Sequence, residues 1–327
     1  MIKKLIKRAI QKYFETETGS ILVYKLKNQL YALPTIEGHP LYKKRYRHLL
    51  WQGMLNQRII PSNLNRTWPY WVYQQFQPSS PQFTLHINPL ASNNTTQLNW
   101  TTLSYPEAED KVIVDPRGLI TPLSQTWSLD FWLGNAKKLI SPAHLARTQQ
   151  NINNSTPNIE TNIELEGLQV NSAVIFKKED SDNNVILNEV TLKNRSDKPL
   201  SFSFFFAIRP YNPLGLSPIK DITYHTNNAF IINNRLGVIF DQKPDNIVCL
   251  NFKDGDVSEQ FNKVEKIFKT KCPDQLASAF VEYKLTLSPN ESTRFSCKIP
   301  TNPTNTLLKQ FQNKLPIKYR DQLNSLI

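Results

Sequence analysis

The residue types that can do chemistry are concentrated in a few short stretches of this chain. Between Val114 and Gly134, VDPRGLITPLSQTWSLDFWLG holds Asp115, Arg117, Trp127, Asp130 and Trp132. Two carboxyl groups facing each other across a bond can serve as acid and base in glycoside hydrolysis. Candidates for such a pair are Asp115, Asp130, Glu160 and Glu189, and spacing alone brings no two of them face to face. Asp115 precedes Pro116, a turn-initiating position, so a structural role suits it equally. The flat indoles of Trp100, Trp127 and Trp132 suit stacking on sugar rings, and they suit burial in a core as well. Further on, SFFFAIRPYNPLG places Arg209 and Tyr211 just after an apolar strand. An arginine there is either a donor to a ligand or the partner of a neighbouring carboxylate.

Other reaction templates are missing. The sequence has no GxSxG, HExxH, P-loop or GxGxxG motif. The five histidines, His39, His48, His86, His144 and His225, lie far apart, so neither a metal centre nor a cofactor is predicted. Cys249, Cys272 and Cys297 are odd in number and widely spaced without CxxC. They predict buried small apolar residues, not a disulfide framework or a zinc ribbon.

Charge is uneven too. The net charge is +12, and residues 1–66 hold 13 Lys/Arg against 3 Asp/Glu. The remaining residues are close to balanced, so the basicity belongs to the N-terminal segment. There MIKKLIKRAIQKYF spaces its apolar residues over half of a helical wheel, with Lys4, Lys7, Arg8 and Lys12 on the other half. A second basic helix is predicted after Pro40, over residues 41–54. Residues 1–14 either pack on the rest of the protein or touch an anionic membrane surface. No nucleic-acid-binding module accompanies the basic residues, so nucleic acid is not an expected partner. No apolar run is long enough for a signal segment or a bilayer span, and a cytoplasmic protein is expected.

The elements that must position the candidates follow a period of two. QLNWTTLS (97–104), residues 111–114, 159–165, 168–176, 185–193, 200–208, 229–232, 238–240 and 246–252 read as strands. Residues 185–208 and EYKLTLSPNESTRFSCKIP (282–300) read as hairpins. Phe202, Phe204 and Phe206 share one face of their strand and Phe205 takes the other, so that strand should be covered on both sides. Few glycines, 22 prolines and many asparagines predict frequent turns. The fold class expected is mainly β: a large antiparallel β-sandwich with N-terminal basic helices and a short helical C-terminal tail. The domain plan is a basic, partly helical segment (1–66), an extended Pro-rich connector (67–96), the sandwich (97–300) and a helical tail (301–327).

LNRTWPYWVYQQFQPSSPQF (64–83), LNWTTL (98–103), VDPRGLITP (114–122), WSLDFWLG (127–134), TPNIETNIELEG (156–167) and NRSDKPLSFSFFFAIRPYNPLG (194–215) together resemble the N-terminal region of bacterial six-hairpin glycosidases. These are glycogen-debranching and glucoamylase-like proteins, and the likeness covers about 64–300. It implies a β-supersandwich of the kind that precedes an (α/α)6 barrel, with the acid and base carboxylates on the barrel. Only 27 residues follow Pro300, so the expectation is a module without catalytic residues of its own. Its implied partners are an α-glucan or another glycan, or a separately encoded helical-barrel chain. The residues nominated for a ligand-binding rim are Asp115 and Asp130 as acceptors, Arg117 and Arg209 as donors, and Trp132 and Tyr211 as stacking rings. The competing expectations are an active carbohydrate hydrolase with its site in the sandwich and a membrane-surface or scaffolding protein that uses the N-terminal basic helix.

Overall fold

A computed structural model of the chain describes residues 53, 55, 56 and 58–301, apart from 78, 81–99, 105–109, 124, 136, 146–147, 154–157, 179–183, 214 and 263–264. The expected basic helices over 1–14 and 41–54 and the helical tail over 302–327 fall almost wholly outside these residues.

Strands β1 to β5 are Thr101–Leu103, Val112–Val114, Ile120–Pro122, Ser128–Gly134 and Leu139–Ile140. Strands β6 to β10 are Gln149–Asn153, Asn158–Leu165, Leu168–Lys178, Asn184–Asn194 and Leu200–Arg209. The short β11 and β12 are Tyr211–Asn212 and Gly215–Leu216, and β13 to β16 are Asp221–His225, Ala229–Ile232, Arg235–Phe240 and Asn246–Leu250. Strands β17 to β19 are Lys269–Lys271, Ser278–Leu287 and Ser292–Pro300. The chain is mainly β, as the alternation predicts.

Two large antiparallel sheets contain nearly all of these strands. The first runs β1-β2-β3-β4-β10-β18-β16, with β5 beside β4. The second runs β17-β13-β14-β15-β19-β9-β8-β7-β6. Their inner faces meet in one core. Phe204 on β10 stacks on Phe295 of β19 at 5.0 Å between ring centroids, and Phe206 on Phe240 of β15 at 5.5 Å. Strand β8 shows why the second sheet forms: Leu168, Val170, Ser172, Val174 and Phe176 are buried while their neighbours are partly exposed, the pattern of a sheet with one covered face.

Strand β10 behaves differently. Residues 204–209 are all buried. Phe204, Phe206 and Ile208 enter the inter-sheet core, whereas Phe205 and Ala207 pack with Trp132, Val248 and Phe280 on the opposite face. The first sheet is thus covered on both sides over this strand, as the position of Phe205 predicts. Each of these rings contributes roughly 2–3 kcal/mol by leaving water.

Two expected hairpins are corrected. Strand β9 pairs with β8 and β19, and β10 pairs with β4 and β18, so residues 185–208 cross from one sheet to the other. The segment 282–300 does the same, because β18 and β19 lie in different sheets. Alternation tells which residues of a strand face the core but not which sheet the strand joins. The crossings lie side by side, since Lys193 pairs with Ser292 and Leu200 with Leu287. Asn194 ties them together: its Nδ2 donates to the carbonyls of Lys198 (2.8 Å), Leu287 (3.0 Å) and Ser288 (3.1 Å). The β14–β15 connection, by contrast, is a hairpin within one sheet. Asn233 and Asn234 adopt φ of 51° and 60° there, the left-handed conformation that asparagine tolerates best among residues with a Cβ.

Within the segment read as an extended connector, Tyr70–Phe76 forms a helix, α1, entered from an extended Pro69. Trp71, Val72 and Gln75 are its buried residues. They share one helical face, and Trp71 and Val72 pack in a cluster with Trp68, Leu119, Tyr211, Leu216 and Leu276. Aromatic residues flanked by prolines do not announce a helix; burial of one face makes it.

Candidate functional site

The outer face of the first sheet, beneath residues 66–76, brings the nominated residues together. Strand β4 is buried throughout and alternates. Leu129, Phe131 and Leu133 enter the inter-sheet core, so Asp130 and Trp132 point the other way. In the β4–β10 register Asp130 is opposite Ala207, and Arg209 is opposite Ser128. Arg209 therefore leaves the sheet on the same side as Asp130 and Trp132.

Arg209 is the centre of the cluster. Its Nη1 and Nη2 donate to the two oxygens of Asp256 at 2.9 and 2.8 Å. Nη2 also donates to the Thr67 carbonyl at 2.7 Å, and Nε to Tyr211 Oη at 3.0 Å. Its guanidinium lies 5.2 Å from the centre of the Trp132 ring and 5.5 Å from that of Tyr211. Asp256 also accepts from the amide and hydroxyl of Ser258 at 2.8 and 2.7 Å, capping the short helical turn Val257–Gln260. Burial alone would raise the Asp256 carboxyl and lower the Arg209 guanidinium. Their mutual attraction reverses both, leaving Asp256 below and Arg209 above its ordinary value.

The other two aspartates have no such partner. Asp130 accepts from Trp132 Nε1 at 2.7 Å and from the Phe131 amide at 2.9 Å. Burial pushes its carboxyl up to about 6, against the pull of the Trp132 bond and Arg209. Asp115 Oδ1 accepts the amides of Arg117 (2.7 Å) and Leu119 (3.0 Å) and so builds the turn DPRGL. Its Oδ2 is buried without a hydrogen-bond partner. Burial carries that carboxyl to about 7, with the charge of Asp130 adding to the rise. Gly118 completes the turn at φ +90°, where a Cβ would meet the Phe131 ring at 2.9 Å.

Beside this turn lies a less buried edge. Arg117 donates to Thr148 Oγ1 at 2.6 Å and lies 5.4 Å from the Tyr70 ring centre. Tyr73 Oη accepts from the Trp68 amide at 3.1 Å and donates to the Arg66 carbonyl at 3.0 Å. His144 Nε2 stands 2.5 Å from the same oxygen. Since that oxygen's hydrogen is used on Arg66, His144 supplies the proton of this contact. Burial lowers the His144 imidazole, and Lys138 adds to the effect.

Four of the six nominated residues, Asp130, Trp132, Arg209 and Tyr211, form one cluster, and Asp115 with Arg117 adjoins it. The cluster is interior, not an open rim. Trp132 is 0% and Tyr211 1% exposed, because Arg209, Asp256 and Thr67 close over them. Trp127 is buried and bonds Gln125, and Trp100 is half-buried against Trp71. Glu160 and Glu189 are elsewhere, on the outer face of the second sheet in register with Ala173 between them, about 10 Å apart across two strand spacings. Glu189 pairs with Arg294 at 3.2 Å. The three cysteines are free and buried. Among the described residues no group of three or more His, Cys, Asp or Glu could hold a metal ion, and no helix is long and apolar enough to cross a membrane.

Sequence reading missed Thr67, Tyr70, Tyr73, Thr148 and Asp256. The run WPYWVY (68–73) is the one local signal for this group. Asp256 gives none, because it meets Arg209 from 47 residues away.

No family model matches the chain, and no curated protein matches it. Solved structures that do match include a kojibiose phosphorylase from the human microbiome, at 9% identity and a TM-score of 0.26, covering 69% of this chain and 22% of that one. A TPR-domain containing protein from Parabacteroides distasonis matches at 11% identity and a TM-score of 0.31, over 64% of this chain and 48% of its own. An aldose 1-epimerase from Klebsiella pneumoniae matches at 9% identity and a TM-score of 0.27, over 64% and 84%. Superpositions this loose assign neither fold nor function to the chain.

Proposed function

We propose that this chain is a non-catalytic β-sandwich module of glycoside-hydrolase-like architecture, and that it works by docking a helical-barrel catalytic chain. The observation that carries the reading is the closure of the cluster over Trp132 and Tyr211. Rings sealed under Arg209, Asp256 and Thr67 offer no face to a sugar. Asp130 spends both oxygens on internal hydrogen bonds. Among the described residues near the cluster, the flank of α1 is partly exposed, with Tyr70 and Tyr73 half-covered beside Arg117 and His144. Tyrosine and arginine are the residue types that anchor protein interfaces.

One observation favours a second reading, an active hydrolase. A carboxyl held near 6 or 7 suits a general acid, and burial raises both Asp130 and Asp115 into that range. The two readings part in a single set of experiments. The docking module releases no reducing sugar from α-glucans, is not retarded in gels containing amylopectin, and co-elutes with a separately encoded helical-barrel chain of the same genome. Sugar release by the wild-type chain that Asp130→Asn abolishes would overturn the docking reading.

A further inference from the structure

Asp115 and Asp130 are buried carboxylates, Asp130 in the Arg209 cluster and Asp115 beside it, and neither has a cation bonded to it. The ion pairs among the described residues are Arg209–Asp256 and Arg294–Glu189. Arg209 gives its donors to Asp256, Thr67 and Tyr211. Arg117 sends Nη1 to Thr148, and Gln150 Nε2 goes to the Asp115 main-chain carbonyl, not to its carboxylate. Asp115 Oδ2 is left buried without any partner, which is the most costly state for a charged oxygen and an acceptable one for a protonated carboxyl. The charge of Asp130 adds to the cost of ionising Asp115.

We propose that the buried Asp115 carboxyl holds a proton near neutral pH, and that its removal loosens the docking of residues 66–76 on the first sheet. Each carboxyl is one contact away from what holds that segment. Asp115 Oδ1 fixes the Leu119 amide, and Leu119 packs with Trp68 and Trp71. Asp130 Oδ2 fixes Trp132, over which lies Arg209, the donor to Thr67. The other titratable groups facing the pair are Arg117 from the same turn, Arg209 from β10, Asp256 beside Val257–Gln260, and the phenols of Tyr211 and of Tyr73, the latter in contact with His144. Arg209 and Asp256 keep their charges because they are paired, and burial keeps the phenols neutral against the opposing pull of their hydrogen bonds.

The sign follows from burial. Both carboxyls lie above their ordinary value when folded, at about 7 and about 6. The protonated carboxyls are favoured at low pH, and that advantage is lost as pH rises through 6 and 7. Hydrogen exchange of the full chain tests this at pH 5.5 and 8.5, corrected for the intrinsic rate. The protection of amides 66–76 should fall by about ten- to a hundredfold, since each unit of displaced pKa is about tenfold in an equilibrium. Asp115→Asn, a neutral isostere, should remove most of that dependence, while any contribution from His144 persists in both proteins. An identical pH dependence in wild type and variant overturns the proposal. Should the variant fail to fold, carbon-13 carboxyl spectra of the aspartate-labelled wild type decide. An aspartate titrating between pH 6 and 7.5 is required, and titration of every aspartate below pH 5 overturns the idea.

Discussion

Arg209→Met isolates the energetics of the buried cluster. The variant keeps most of the side-chain volume and loses the charge together with its donors to Asp256, Thr67 and Tyr211. Asp256 then stays buried as a carboxylate held only by Ser258. Removing one partner of a buried ion pair costs about 3–5 kcal/mol, mostly because the other charge is left uncompensated. The Thr67 carbonyl, left with only the long bond from Tyr211 Oη at 3.4 Å, adds about 1 kcal/mol. Urea unfolding followed by tryptophan fluorescence should therefore show a loss of about 4–6 kcal/mol. The pH profile adds a check. In the wild type Asp256 is held below its usual range, so its stabilising share is present near neutrality and lost only in strong acid. Without Arg209 the carboxyl rises, and the variant should recover part of its stability as pH falls from 7 toward 5. The double variant Arg209→Met with Asp256→Leu should be more stable than Arg209→Met alone, since an apolar pair of similar volume is often neutral in such a site. A cost under about 1 kcal/mol for the single variant, the range of a surface ion pair, would refute the reasoning.

Three further outcomes are expected. Gly118→Ala should cost about 2–3 kcal/mol in the same assay, from a left-handed backbone and a Cβ pressed on the Phe131 ring. Asn194→Ala should cost about 1–2 kcal/mol by removing the amide that bridges the carbonyls of Lys198, Leu287 and Ser288, and the Asn-Arg-Ser triplet 194–196, an N-glycosylation acceptor pattern, should carry no glycan on the folded chain because its amide is occupied. The buried thiols of Cys249, Cys272 and Cys297 should be inert to a thiol reagent in the native state and react fully in guanidinium, since burial pushes the Cys249 and Cys297 thiols up and excludes the reagent.

Legibility of the fold in the sequence tracks the range of the interaction. Strands β7 to β10 show themselves by alternation, because each side chain's surroundings are set by which side of the pleat it leaves. The partner of each strand does not show itself: 194–199 reads as a hairpin turn, yet β9 and β10 pair in different sheets, and Asn194 ties the crossing to carbonyls some 90 residues away. Helix α1 was hidden for a related reason, since seven residues hold a helix only through what they pack against. In the site, Asp130, Trp132 and Arg209 were legible as unusual residues on apolar strands. Their closure was not, since it depends on Thr67 and Asp256, which arrive from opposite directions along the chain.

The double coverage of β10 explains why a polar cluster lies there at all. A strand with Phe204 and Phe206 on one face and Phe205 and Ala207 on the other requires a third layer over the first sheet. Residues 66–76 and 256–261 supply it. Apolar packing is nearly indifferent to a shift of such a layer by a residue, because neighbouring side chains fill the same space with similar energy. Arg209 is not indifferent: its fork satisfies Asp256, Thr67 and Tyr211 together only in one alignment. A shifted alignment would bury an arginine and an aspartate without partners, at several kcal/mol each. The cluster thus acts to select one seating of α1 on the sheet. That seating sets where Tyr70, Tyr73 and Arg117 face outward, and so the surface proposed for docking inherits its geometry from an interior ion pair.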